Sequence, residues 1–198
     1  MGSRQNYKSI SLMDKYKTTA AIVINHRYSK EVDSLITLLT PRDGKIVALA
    51  KGAKNIRSSR LGSLQLGNII KVHLYQKNDF LWISEAQTIS QFLQTDKSLT
   101  QLNLLFYFLE LINRFIAENQ QIENIYSISK NIIESINKNQ VNRYIDNEIK
   151  LLDNLGFGIP PEIITSFQKK DYPTTQKLIK NFFESIIEKP LESNKLFK

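Results

Sequence analysis

The period of the apolar pattern changes once along this chain, after Phe92, and that single change limits the folds open to it. Before it, apolar and β-branched residues come in short runs of the kind that form strands. After it they recur three and four residues apart, as on helices. A chain that switches period once, instead of alternating, builds its strands and helices as separate layers or domains. The boundary falls at Gln94 to Ser98, between a first domain over 13–94 and a second over 95–198.

Five segments of the first half read as strands: Tyr16 to His26, Val32 to Thr40, Lys45 to Ala50, Asn68 to Tyr75 and Phe80 to Ile89. Pro41-Arg42-Asp43-Gly44 makes a turn with proline at its second position, and Lys77-Asn78-Asp79 joins the last two strands. Five short strands, with one long basic loop between the third and the fourth, fit a small barrel of the OB type, although SH3-like barrels have similar strand counts. In the second half, Leu99 to Ala117 is apolar on most sides and belongs at the centre of a bundle. Ile122 to Ile136 and Val141 to Leu155 follow as helices, with Gly156 where a left-handed C-cap belongs. Pro160-Pro161-Glu162 opens a short helix to Lys169, and Thr174 to Ile187 is the last. The fold class is therefore α+β, an N-terminal five-stranded OB-fold barrel followed by a C-terminal helical bundle. Residues 1–12, ahead of Met13, read as a flexible extension or a tag remnant and are left out of the fold.

Composition narrows the function. The absence of cysteine removes disulfides, thiolate zinc sites and cysteine nucleophiles, and suits a reducing cytoplasm. No apolar run approaches the roughly 20 residues of a spanning helix, so no membrane partner is expected. Catalytic constellations are scarce. His26 and His73 each lie at or in a strand, where a lone histidine is far more often structural than catalytic, Ser58-Ser59 has no histidine in reach, and Glu31, Asp33 and Asp43 read as turn residues. Gly156-Phe157-Gly158 ends a helix where a dinucleotide fingerprint would begin one. The chain is read as a non-enzyme without cofactor or metal.

Charge points the other way, to a binding function. The net charge is +8, and residues 1–94 hold 14 Lys and Arg against 6 Asp and Glu, while residues 95–198 hold 13 against 13. From Gly44 to Asn78 there are seven basic residues and no acidic one. An excess confined to one domain is the footprint of a polyanion site. Lys51, Lys54, Arg57 and Arg60 recur every three residues through a segment with Gly52 and two serines, suited to following a phosphate backbone. Arg27, Lys45 and Lys71 on neighbouring strands join them as candidate DNA contacts. Tyr28 and Tyr75 are candidate base-stacking platforms, and Trp82 is a third aromatic whose mid-strand place favours the core.

The residues resemble those of the bacterial recombination mediators of the RecO family. The resemblance runs through TAAIVINHRYSKEVDSLITLLTPRDGKIVALAKGAK, SSRLGSLQLGNIIKVHLY and LWISEAQTI, with Arg27, Glu31, Asp33, Thr40, Gly44, Lys51-Gly52-Ala53 and Arg60-Leu61-Gly62-Ser63-Leu64-Gln65 as its marks. In the second half it rests on Arg143-Tyr144 ahead of LLDNLGF, on Pro190-Leu191-Glu192-Ser193, and on Leu196-Phe197. It implies an OB-fold domain on a helical domain that binds single- and double-stranded DNA and anneals complementary strands. With RecR, and often RecF, such proteins help load RecA onto DNA coated by the single-stranded DNA-binding protein SSB. The acidic SSB tail docks on the helical domain in similar proteins, and Arg143 is the candidate here for its terminal carboxylate. A cytoplasmic, nucleoid-associated place is implied. Many longer relatives carry a cysteine cluster for zinc after the LGF segment; only Gly158 to Thr174 fills that interval here, so the zinc-binding insert is absent. A protein adaptor docking SSB or RecR, with DNA contact secondary, is the alternative, and an RNA-binding OB module is a third reading.

Overall fold

The computed structural model describes residues 16–28, 34–51, 62–92 and 97–187, together with 191 and 193. Five strands come first: β1 (Tyr16–Tyr28), β2 (Ser34–Thr40), β3 (Gly44–Ala50), β4 (Ile69–Lys77) and β5 (Phe80–Ser90). They close into a barrel in the order β1-β2-β3-β5-β4, the OB arrangement expected from the pattern. All neighbours pair antiparallel except β3 and β5, which meet in parallel at Leu49 and Trp82. β1 serves both sides of the barrel because it is long: residues 16–22 pair with β4 and residues 22–28 with β2, with a register shift between Val23 and Asn25.

The unbroken apolar run Ala21-Ile22-Val23-Ile24 has a physical reason. Successive strand residues face opposite ways, so four buried residues in a row require both faces to be covered. Ala21 and Val23 point into the barrel with Ile36, Ile46, Ile70, Val72, Leu74 and Ile83. Ile22 and Ile24 point out, and with Leu39, Ile69 and Phe92 join the core of the helical half. One apolar cluster thus spans the two halves. Each such aliphatic side chain contributes about 1.5–3 kcal/mol on burial, so the junction is a packed interface and not a tether.

The helices are α1 (Leu99–Phe115), α2 (Ile125–Asn137), α3 (Val141–Asn154), α4 (Pro161–Gln168) and α5 (Tyr172–Ile187). Ser98 caps α1 through a reciprocal box with Gln101, whose amide also donates to the Ile136 carbonyl at 2.8 Å and so ties the start of α1 to the end of α2. Leu105, Phe108, Leu109, Leu111 and Ile112 are buried around α1, as its many-sided apolar pattern requires. Gly156 adopts φ +81° just past α3, the expected left-handed C-cap. α2 starts later than its apolar periodicity suggests, at Ile125, after Asn124 in the left-handed region. Among the described residues, no helix is long and apolar enough to cross a membrane.

The first turn of β3 is welded to the helical half. Gly44 has φ +63°, and a Cβ built on it would stand 1.8 Å from the Gln120 carbonyl oxygen. One residue on, the Lys45 carbonyl accepts the Asn119 N–H at 2.7 Å, and the Lys45 ammonium donates to the Asn113 carbonyl at 2.6 Å. Asn113 lies in the last turn of α1, where carbonyls lack helical partners and the helix dipole favours a cation.

Candidate nucleic-acid interface

Strand register assembles a feature that spacing alone did not show. Tyr16 on β1 lies opposite Tyr75 on β4, which lies opposite Trp82 on β5. The three rings form a row on the outer face of the barrel, since their neighbours Leu74 and Ile83 face its core. Tyr16 and Tyr75 have ring centroids 6.1 Å apart; Tyr75 and Trp82 are 6.3 Å apart and 21° from parallel. Tyr16 is 69% exposed, while Tyr75 and Trp82 are half-buried. The same face continues through Thr18 and His73, whose Oγ1 and Nδ1 are 2.9 Å apart, to Lys71 opposite Ala20. Lys71 is exposed, as is Lys77 at the end of β4. Such a row of rings with flanking ammonium groups suits unpaired bases and their phosphates.

The expected contacts separate when placed on the fold. Tyr75 and Lys71 share the ring-bearing face. Lys51 is exposed immediately after β3. Arg27 is exposed opposite Leu35 of β2, seven residues along β1 from the partner of Lys71, or about 23 Å at the usual strand rise. Lys54, Arg57 and Arg60, the side chain of Tyr28, and Glu31 and Asp33 lie outside the described residues. Lys45 is corrected: it is 7% exposed, with its ammonium on the end of α1, so it is not a phosphate contact. Burial holds its pKa below the ordinary lysine value; Glu118 pulls it up and Arg27 pushes it further down. We expect Lys45→Ala to cost about 1–3 kcal/mol of stability while DNA affinity measured on the folded fraction stays unchanged, an outcome read from urea unfolding and oligonucleotide anisotropy.

Tyr16 escaped notice as a platform because its value depends on the register with β4, which no local motif carries. Trp82 sits on the outer face after all, although its indole Nε1 is buried without a hydrogen-bond partner among the described residues.

Two further places in the helical half bear on function. A cleft of about 440 Å³ between α1 and α5 is lined by Leu104, Tyr107 and Pro173, with Lys177 and Lys180 beside it and no carboxylate among the described lining residues. Arg143 does not line it; the guanidinium lies exposed on α3 and donates to Gln140 Oε1 at 3.2 Å. Behind Tyr107 lies Glu148 of α3, 0% exposed. The Tyr107 and Tyr144 phenols approach its carboxyl without full hydrogen-bond geometry, so burial outweighs them and raises its pKa to about 8. The phenols are themselves held well above the usual tyrosine value, by burial first and by Glu148 second.

Comparison with known proteins agrees with this architecture. The family described as "Recombination protein O N terminal" matches residues 13–92, and "Recombination protein O C terminal" matches residues 97–160. Among curated relatives named "DNA repair protein RecO", that of Thermoanaerobacter sp. is 26% identical over 142 residues, covering 70% of this chain and 57% of the relative. That of Acetivibrio thermocellus is 28% identical over 148 residues, covering 72% and 58%. That of Chloroherpeton thalassium is 29% identical over 149 residues, covering 72% and 57%. The matched region thus spans less than three fifths of these relatives' length. Matches on both sides of the change in period, one covering the barrel and the other the first three helices, place this chain in the RecO family.

Proposed function

We propose that this chain binds single-stranded DNA and acts as a non-enzymatic mediator of DNA repair. The observation that carries the reading is the row Tyr16, Tyr75 and Trp82, continuous with Lys71 on one barrel face. The rings take bases and the ammonium groups take phosphates, in a half-chain that carries the whole charge excess. Because neither stacking nor phosphate contact reads base identity, the surface suits strands of any sequence. That is the property needed to anneal complements and, with RecR, to help load RecA on SSB-coated DNA. The names of the relatives, DNA repair protein RecO, support this reading.

Fluorescence anisotropy with a labelled oligothymidine tests it. Affinity is expected to fall steeply as salt rises, because each phosphate contact releases counterions. Tyr16→Ala, at an exposed position, is expected to weaken binding about fivefold or more, from a stacking contribution of about 1–3 kcal/mol per base. Reversing Lys51, Lys54, Arg57 and Arg60 to Glu is expected to weaken binding to all sequences alike and to flatten the salt slope. Salt-independent binding, or wild-type affinity in both variants, refutes the proposal.

A second reading, docking of the SSB tail, is favoured by the cleft between α1 and α5. A peptide with an apolar last residue and a free carboxylate fits a pocket lined by Leu104 and Pro173 beside Lys177 and Lys180. Arg143 is the competing candidate, exposed on α3. Titrating the full chain with an SSB tail peptide decides between them: Lys177→Glu with Lys180→Glu abolishes binding if the cleft is the site, and Arg143→Glu abolishes it if α3 is.

A further inference from the structure

β3 is paired with β2 along the whole of one edge, but on its other edge it is met only near its ends. At Lys45 that second edge bridges to Glu118 and takes the Asn119 N–H; at Leu49 it meets Trp82. Antiparallel pairing turns N–H and C=O groups toward and away from the partner at alternate residues. Val47, two residues from each contact, therefore turns its own N–H and C=O out on the same edge as Lys45 and Leu49. Among the described residues no strand meets it there.

A groove of about 460 Å³ opens in front of this gap, between β2–β3 and the β4–β5 hairpin. Leu35, Val47 and Leu49 supply one wall, and Phe80 and Leu81 the other. Phe80 is 57% exposed at the hairpin end. The charged lining residues among those described are Asp79 and Glu118, both exposed, on a chain of net charge +8. Lys45 lies behind Glu118 but gives its ammonium to Asn113. In other OB barrels oligonucleotides run across the face of strands 2 and 3. Here that face offers an apolar floor and two carboxylates, which repel phosphate. None of the three platform rings lines the groove.

We propose that this groove receives an extended segment of a partner protein. One apolar side chain of that segment fills the space between Leu35, Leu49 and Phe80. Its main chain bonds the Val47 N–H and C=O, adding a short strand to the β3 edge. A Lys or Arg beside the apolar residue faces Asp79 and Glu118. The site adjoins the DNA-binding face proposed above where Leu49 meets Trp82, but none of the three rings lines it.

The test uses the full chain, labelled with ¹⁵N, and two seven-residue probes: Ser-Lys-Val-Leu-Val-Lys-Ser and its twin with Glu at both Lys positions. The basic peptide is expected to shift the amide resonances of Val47, Leu49 and Leu81, and the acidic twin to bind at least tenfold more weakly. Asp79→Asn, at an exposed turn position, is expected to reduce that preference at least threefold while leaving oligothymidine affinity within twofold of wild type. Equal binding of the two peptides, or shifts confined to other residues, overturns the proposal. Oligothymidine moving the Val47 resonances would make the groove part of the DNA path instead. Concentration-dependent shifts at Val47 without peptide would assign it to a second copy of this chain. A failure of the groove leaves the DNA result standing, because DNA binding is read from anisotropy and from other variants.

Discussion

Glu148→Gln is expected to stabilise this protein at pH 8 and to leave it nearly unchanged at pH 4. The carboxyl is fully buried on α3, one turn from Tyr144 and facing Tyr107 of α1, with its pKa raised from 4.5 to about 8. Below pH 4.5 the group is neutral whether the chain is folded or not, and its folded environment costs nothing. Between pH 4.5 and about 8 the unfolded chain releases a proton that the folded chain must keep. Stability therefore falls as pH rises, by about 1.4 kcal/mol per unit, and levels off above pH 8. The integrated loss is on the order of 5 kcal/mol. A glutamine keeps the shape and has no proton to lose, so its advantage over wild type grows through this window. Urea unfolding of both proteins at pH 4, 6 and 8 measures it. Two curves that stay parallel across that range would show that the carboxyl is already ionised in the folded chain. Other titrating groups cancel in the difference, apart from the Tyr107 and Tyr144 phenols, whose own values Glu148 helps to raise.

Gly44→Ala is expected to cost about 3 kcal/mol or more, enough to leave most of the chain insoluble. Two penalties act at once. The backbone stands at φ +63°, which a side chain opposes, and the new methyl would lie 1.8 Å from the Gln120 carbonyl oxygen. Neither β3 nor the segment after α1 can retreat, since the Asn119 N–H and the Lys45 ammonium hold them together. Gly156→Ala is the control. Its φ of +81° carries the conformational penalty, but nothing lies within 4 Å of the added methyl, so about 1–2 kcal/mol is expected. Thermal unfolding of the two variants separates strain from collision. Equal losses would mean that the junction yields.

Much of the architecture was legible because each element carries its own period. The five strands and five helices of the described residues stand within a few residues of where alternation, proline and glycine put them. Two-sided burial also explains why β1 reads as a continuous apolar run instead of alternating. Three things were not legible, for one reason. Lys45 sits in a run of cations and resembles its neighbours, yet its partner Asn113 lies 68 residues away. Glu148 lies on the apolar stripe of α3 with Tyr144, Ile145 and Leu152, a hint of burial that no spacing rule converts into a pKa. The row of rings needs strand register, which is a property of pairs and not of segments. Of the candidate DNA residues, Tyr75 and Lys71 fell on the ring-bearing face, Arg27 lies apart from it, and Lys45 turned inward.

The apolar cluster that spans barrel and helices has a consequence for how the chain is made. Translation delivers all five strands before the first residue of α1 emerges. Until then Ile22, Ile24, Leu39 and Ile69 have no cover. The nascent barrel is thus an adhesive intermediate whose greasy underside waits on the next few turns of polypeptide. Chains stalled with residue 92 just clear of the exit tunnel should display a chaperone-binding, protease-sensitive product, and chains stalled with the helices clear of it a resistant one. In the finished protein the same cluster makes melting a single event: calorimetry should record one transition whose van't Hoff and measured enthalpies agree, with no separate endotherm for either half.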